Sequence, residues 1–149
     1  MKVITVSGKP GTGKTTVLGR LHTSLIGNKG YTSILKQDKH SEDTPSTVSI
    51  DPSSVSDHIY IFEKQIPSDK SKKIRIGLMT EGDFPHKIPL TLNYFLKENC
   101  DYAILASRIG ANFNRNLSSV NGYYTSFHKD DNTLIDNDKV LKLLTNLIP

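Results

Sequence analysis

The chain has 149 residues, of which 36% are hydrophobic and 23% are charged, and its formal net charge is +4. This length predicts a single domain over residues 1–149, and the composition is that of a globular protein rather than a disordered one. No segment reaches the roughly 20 consecutive apolar residues of a membrane-spanning helix, and the first residues lack the apolar core of a secretory signal. We therefore expect no membrane association and a cytoplasmic location. The single cysteine, Cys100, excludes an intramolecular disulfide and argues against a zinc site built from several thiolates.

The first part of the chain alternates between strand and helix signals. Residues 2–7 form a short strand-like run in which Val3, Ile4 and Val6 are expected to be buried, as in a parallel strand covered on both faces. Apolar residues then recur at helical spacing over residues 17–26, and a stop signal follows at residues 27–30. Residues 31–35 are rich in strand-forming types. Together these signals predict a right-handed βαβ unit.

The middle of the chain combines a polar segment with a hairpin. Residues 38–56 are rich in Ser, Thr, Asp and Pro, and we expect a loop or lid there because so few apolar groups can be buried. Residues 59–63 and 74–79 are strand-like and are separated by a turn at residues 67–71, which predicts an antiparallel hairpin whose second strand enters the main sheet. The basic run at residues 70–73 is interpreted as a solvated turn, with attraction to phosphates as the alternative.

Helix and strand signals alternate again in the second half. Pro89 is placed to be the first residue of a helix that ends at residues 98–99 and buries Leu92, Phe95 and Leu96. Residues 102–106 predict a buried strand. A polar loop or short helix over residues 107–116 and a short strand over residues 123–127 are expected to follow.

A final amphipathic helix completes the predicted fold. Either Asp136 or Asn137 is expected to cap it. Its predicted buried positions are Val140, Leu141, Leu143, Leu144, Leu147 and Ile148. Strands that alternate with helices in this way predict an α/β fold, specifically a three-layer α/β/α sandwich with a mainly parallel sheet.

The glycine-rich segment after the first strand fits the pattern G-x-x-x-x-G-K-[ST]. A polyphosphate needs several backbone N–H groups that point inward, and this requires glycines where a Cβ would obstruct the loop. Lys14 can reach the β and γ phosphates, and the Thr15 hydroxyl is placed to bind Mg²⁺. The predicted nucleotide-binding residues are Gly8, Lys9, Pro10, Gly11, Thr12, Gly13, Lys14, Thr15 and Thr16.

The first 35 or so residues resemble those of P-loop NTPases, whose Walker A motif is matched at every required position. This resemblance implies the P-loop NTPase fold and binding of ATP or GTP with Mg²⁺. The chain has no Asn/Thr-Lys-x-Asp motif for guanine, which favours ATP. The segment is also similar to the deviant Walker A of partitioning and Min-type ATPases, in which a lysine at the position of Lys9 contacts nucleotide across a dimer. Pro10, where those ATPases carry glycine, departs from that pattern, and the chain is far shorter.

Most of the remaining chain is similar in layout to small P-loop proteins of bacteria and phages. The shared features are a hairpin that ends in Gly82-Asp83, then a helix, then Cys100-Asp101 and a buried strand that ends in Ala106-Ser107-Arg108. This resemblance implies ATP binding and leaves the phosphoryl acceptor open.

Four acidic residues compete for roles near the phosphates. Asp83 is the first choice and Glu81 the second as magnesium carboxylate beside Thr15, because both follow an apolar strand. Glu63 also follows an apolar run, but an antiparallel hairpin would carry it to the opposite edge of the sheet. Asp38 is a candidate base or acceptor-binding residue. For each acid the alternative is a turn or helix-cap role.

Two arginines are candidates for stabilising the charge of the transferred phosphoryl group. Arg108 ends a predicted buried strand at the expected ligand edge, and Arg115 follows in a polar segment. The alternative for both is a solvated side chain.

These residues favour an ATP- and Mg²⁺-binding protein that transfers a phosphoryl group to a small molecule or nucleotide, or that hydrolyses ATP. The candidate catalytic residues are Lys14, Asp83, Arg108 and Asp38. The alternative is a nucleotide-dependent switch or assembly factor that acts on a protein or nucleic-acid partner, and a third hypothesis is a binding module without catalysis.

Overall fold

The computed structural model describes residues 1–38, 58–80, 87–108 and 124–149. Within these ranges the chain forms six strands and three helices. In chain order they are β1 (Lys2–Ser7), α1 (Lys14–Gly27), β2 (Thr32–Asp38), β3 (His58–Ile66), β4 (Asp69–Met79), α2 (Lys87–Lys97), β5 (Tyr102–Ser107), β6 (Tyr124–His128) and α3 (Leu134–Leu147). Nearly all of the predicted loop at 38–56 and most of the polar segment at 107–116 lie outside the described residues.

The six strands form one mixed sheet in the order β2-β3-β4-β5-β1-β6. β1 pairs in parallel with both β5 and β6, and β4 pairs in parallel with β5. β3 is antiparallel to β2 and β4, so it runs opposite to the other five strands. The predicted hairpin of β3 and β4 and its entry into the main sheet are therefore confirmed. β2 has the same direction as β1 but lies at the edge of the sheet, with three strands between them.

Hydrophobic residues pack on both faces of the sheet because side chains alternate along each strand. On one face, Ile4 of β1 and Ile104 of β5 belong to the core that α1 and α3 cover. On the other face, Val3 and Leu105 belong to the core that α2 covers. The chain is thus an α/β protein with helices on both sides of a mixed sheet.

The N-terminal boundary and the buried stripe of α2 differ from the prediction. The helix begins at Lys87, so Pro89 is its third residue and still lies in the first turn, where a missing N–H breaks no helical hydrogen bond. Leu92 and Phe95 are buried as predicted, but Leu96 is 45% exposed. The buried stripe runs through Ile88, Leu92 and Phe95, and Leu96 lies beside it rather than on it.

The cap of α3 also differs from the prediction. Thr133 is the N-cap, and its side-chain oxygen accepts a hydrogen bond from the backbone N–H of Asp136. Asp136 and Asn137 lie inside the helix, where their side chains make other contacts described below. The predicted burial of Val140 and Leu144 is confirmed, whereas Leu143 is 39% exposed.

Gly77 of β4 allows α2 to approach the sheet closely. A Cβ at this position would overlap the ring of Phe95, which is fully buried. We expect Gly77→Ala to lower the free energy of unfolding by about 1–3 kcal/mol, the usual cost of overpacking a core, as measured by urea denaturation. Gly27→Ala is the matched control because no atom lies within 4 Å of a Cβ at Gly27. Equal stability of the two variants would contradict this packing.

Candidate functional site

The glycine-rich loop lies at the carboxyl edge of the parallel strands, between β1 and α1. Two neighbouring strands hold the end of β1 in place. The backbone N–H of Gly8 donates to the Ser107 carbonyl at the end of β5 at 3.1 Å, and the Lys129 N–H donates to the Ser7 carbonyl at 2.8 Å. The loop is thus fixed at the edge where α/β sheets commonly bind ligands.

The three glycines of the loop are required for different physical reasons. Gly11 and Gly13 have φ angles of +77° and +84°, a region that disfavours side chains with a Cβ. A Cβ at Gly8 would lie 2.5 Å from Thr12 Oγ1 and 2.8 Å from the Lys129 carbonyl oxygen. Glycine is therefore required by the backbone conformation at Gly11 and Gly13 and by the close neighbours of a Cβ at Gly8.

Lys14 is the most buried charged residue of the loop, with 7% of its surface exposed. Its ammonium donates to the Gly8 carbonyl at 2.8 Å and to the Lys9 carbonyl at 2.9 Å. The Thr12 hydroxyl donates to the same Lys9 carbonyl at 2.8 Å, which fixes the turn of the loop. The loop therefore folds around the buried Lys14 ammonium, to which two of its own carbonyl groups are hydrogen-bonded.

A pocket of about 310 Å³ opens beside the loop and the N-terminus of α1. The first turn of α1 contains no acidic residue, so no side chain of that turn offsets the positive end of the helix. The lining residues are Pro10, Gly11, Gly13, Lys14, Thr15, Thr16 and Asn132. Loop N–H groups, a helix N-terminus and a lysine are together suited to an anionic group such as a phosphate.

The end of β4 lies beside the start of α1. The Thr15 hydroxyl donates to the carbonyl oxygen of Thr80, the residue after β4, at 3.2 Å. Thr80 is fully buried. Glu81 and Asp83, the predicted magnesium carboxylates, follow Thr80 in the sequence but lie outside the described residues.

The remaining predicted site residues are unequally placed. Arg108 is exposed and directly follows Ser107, whose carbonyl accepts from Gly8, so its backbone lies at the same edge as the loop. The backbone of Asp38 ends β2, which is four strand spacings from β1, or about 19 Å at 4.8 Å per strand. The described backbone therefore brings Arg108, but not Asp38, next to the loop. Arg115 lies outside the described residues.

Glu63 lies at the opposite edge of the sheet, as predicted from the antiparallel hairpin. Its carboxylate accepts from the Lys73 ammonium at 2.7 Å and from Arg75 Nε at 2.9 Å. The hydrogen bond from Lys73, followed by that from Arg75, holds the pKa of Glu63 below its usual value of 4.5. Glu63 thus joins the two strands of the hairpin and is far from the loop.

This lowered pKa makes the stability of the hairpin depend on pH. The Glu63 contribution is fully present above the unfolded-state pKa near 4.5 and is lost as the pH falls through the lower folded-state pKa. We expect Glu63→Gln to be less stable than the parent protein at neutral pH, and this difference in unfolding free energy should shrink in acid. A difference that stays constant on acidification would contradict the assignment. Urea denaturation at several pH values measures it.

The sequence analysis missed a polar segment at residues 129–137, which comprises the connection after β6 and the first turn of α3 and packs against the loop. Lys129 is fully buried, and its ammonium lies 2.6 Å from the Asp136 carboxylate, which holds the pKa of Asp136 below its usual value. The Asn137 amide donates to Asn132 Oδ1 at 3.0 Å. A Cβ on Gly13 would overlap the Asn132 side chain. The segment therefore forms one wall of the pocket.

A signal for this segment was present in the sequence. Thr133 and Asp136 have the S/T-x-x-D/E spacing that marks the start of a helix, directly after the last strand. This spacing predicts a fixed connection at the carboxyl edge, where the side chain of Asn132 lies. Because Asp136 and Asn137 were considered only as caps, the spacing of Thr133 and Asp136 was not used.

Comparisons of the chain with protein-family models, with curated proteins and with solved structures found no match. The helices in the described ranges are too short or too polar to cross a membrane.

Proposed function

We propose that the protein binds ATP with Mg²⁺ through residues 8–16 and transfers the γ-phosphoryl group to a small molecule or nucleotide, or to water. In this proposal the α/β fold is a three-layer sandwich of the P-loop NTPase type, and the protein acts in the cytoplasm. The observation that carries the proposal is the buried Lys14 ammonium, bonded to the Gly8 and Lys9 carbonyls inside a loop with two left-handed glycines.

The contacts of Lys14 support binding of a polyphosphate. A phosphate oxygen is a charged acceptor, and a hydrogen bond to it is roughly twice as strong as one to a neutral carbonyl. Phosphate groups in the pocket can therefore replace the Gly8 and Lys9 carbonyls as partners of the ammonium. The N-terminus of α1 adds a favourable partial charge at the same place.

The residues at the pocket are compatible with Mg²⁺. This ion prefers oxygen ligands and keeps several waters, so one hydroxyl and one or two carboxylates are enough on the protein side. Thr15 would supply the hydroxyl, and Asp83 or Glu81 the carboxylate, because the contact of Thr15 with Thr80 places the end of β4 at the pocket. When bound, Mg²⁺ would neutralise charge on the phosphates.

The other proposed roles follow from position in the sheet. Arg108 follows β5 and would stabilise negative charge during transfer, because its backbone is next to that of the loop. Asp38 is at the far side of the same edge, so its proposed role is to bind a large acceptor rather than to touch the phosphates. Asn132 lines the pocket and would hydrogen-bond the bound ligand.

The test is calorimetric titration with MgATP and MgGTP, followed by ADP formation from MgATP in the presence of nucleoside monophosphates, nucleosides or DNA. We expect ATP to bind more tightly than GTP and turnover to depend on one acceptor. Slow turnover without any acceptor would indicate an ATPase. Tight nucleotide binding without turnover would refute the proposed enzymatic activity and favour the nucleotide-dependent switch. Failure to bind either nucleotide would refute the whole proposal.

A further inference from the structure

The β3–β4 hairpin extends beyond the rest of the sheet. Pairing of β2 with β3 ends at Glu63, and pairing of β4 with β5 begins at Ile76. Residues 64–74, here called the hairpin arm, pair in the ladder only with each other among the described residues. The arm is thus a two-stranded ribbon at the amino edge of the sheet, at the opposite end from the glycine-rich loop.

Most of the net positive charge of the chain lies on this ribbon and its base. Residues 63–75 contain five cationic and two acidic side chains, a net charge of +3, and the whole chain carries +4. Glu63 at the base compensates Lys73 and Arg75 only in part, because one carboxylate faces two cations. The excess charge lies toward the tip.

The tip holds its lysines in a defined conformation. Gln65 pairs with Lys73 but Ile66 pairs with Asp69, so residues 70–72 form a bulge outside the ladder. The Asp69 carboxylate accepts from the Ser71 N–H at 3.0 Å and from the Ser71 hydroxyl at 2.6 Å, and Gln65 donates to the Lys70 carbonyl. The bulge therefore presents Lys70 and Lys72 outward on a fixed backbone.

These lysines are available to a partner. Lys72 is 71% exposed and lies 3.6 Å from Asp69, a distance at which an exposed ion pair contributes little. Lys73 is 49% exposed and shares the Glu63 carboxylate with Arg75, so its charge is compensated only in part. Lys70 is exposed and has no carboxylate within ion-pair distance in the part of the chain that the structure describes.

We propose that the hairpin arm binds the phosphate backbone of double-stranded DNA through Lys70, Lys72 and Lys73. A two-stranded ribbon fits the major groove of B-DNA, and lysines on flexible stems contact phosphates without reading bases. The arm contains no aromatic residue on which single-stranded bases could stack, which favours a duplex. This inference does not depend on nucleotide binding at the loop.

The test is fluorescence anisotropy with a labelled 20-base-pair duplex of random sequence between 50 and 200 mM salt. Three phosphate contacts on DNA predict a loss of affinity of about 40-fold over this range, from a slope of about −0.9 per contact. The double variant Lys70→Gln/Lys72→Gln keeps the Lys73–Glu63 pair. Its affinity for the duplex should fall only about 4-fold over the same range of salt, because one phosphate contact remains. Circular dichroism checks that this variant remains folded.

The matched control is Lys139→Gln/Lys142→Gln, which removes the same charge from exposed positions of α3. We expect this control to keep the 40-fold salt dependence. If both double variants lost the same amount of salt dependence, attraction by net charge alone would explain the binding, and the proposal would be overturned. It would also be overturned if the protein did not bind the duplex at 50 mM salt, or if labelled polyglutamate bound more tightly than the duplex, which would indicate an acidic protein partner.

Discussion

Replacement of Lys14 by alanine is expected to weaken MgATP binding about 100-fold and to abolish turnover. In the free protein the Lys14 ammonium is buried and bonded to two loop carbonyls, so its charge is already held at the pocket. Two charged hydrogen bonds to phosphate contribute about 3 kcal/mol together at the lower end of the usual range, which corresponds to about 100-fold in affinity. Calorimetric titration with MgATP measures the change.

Lys9→Ala is the control for this experiment because Lys9 is in the same loop but is exposed. If only the ordinary Walker A arrangement operates, Lys9→Ala should change the affinity for MgATP by less than about 5-fold, as expected for an exposed charge. A loss as large as that of Lys14→Ala would support the deviant arrangement, in which Lys9 contacts nucleotide across a dimer. Unchanged MgATP affinity in Lys14→Ala would refute the proposed site.

Asp136→Asn is expected to lower the free energy of unfolding by about 3 kcal/mol. The Asp136 carboxylate is the ion-pair partner of the fully buried Lys129 ammonium, and removing one partner of a buried pair leaves an uncompensated charge. Because this pair joins the two ends of residues 129–137, whose Asn132 packs against Gly13 of the loop, the variant should also bind MgATP more weakly. Urea denaturation and calorimetry measure the two effects.

The double variant Lys129→Met/Asp136→Asn separates the buried charge from other effects of the substitution. With the charge removed, most of the lost stability should return, since a hydrophobic side chain of similar length replaces the lysine. If the double variant were as unstable as Asp136→Asn alone, the buried charge would not be the cause.

The features that the sequence predicted well depend on short stretches of chain. The bounds of β1 and the presence of α1 follow from strand-forming residues, a glycine-rich loop and helical spacing, all within residues 2–27. The hairpin of β3 and β4 follows from two strand-like runs and the turn between them. Local backbone preferences and side-chain periodicity determine such elements, so the printed sequence contains the necessary information.

Other features depend on residues that are distant in the chain. Leu96 and Leu143 have helical spacing that suits burial, but the position of each helix on the sheet leaves them exposed. The packing of Asn132 against Gly13 requires β6 to lie next to β1, a pairing that periodicity does not determine. Only the structure therefore shows the order of the strands. The same order determines which wall of the pocket Asn132 forms.

The position of β1 in the sheet also limits when the glycine-rich loop can form during folding. β1 pairs with β5 and β6, so its neighbours are about 100 and 120 residues away in the chain. Such distant contacts form slowly, whereas the β3–β4 hairpin closes over a few residues. During synthesis the loop is complete only after residue 129 has left the ribosome and reached Ser7. Ligand binding at the loop would then report that the whole domain has folded.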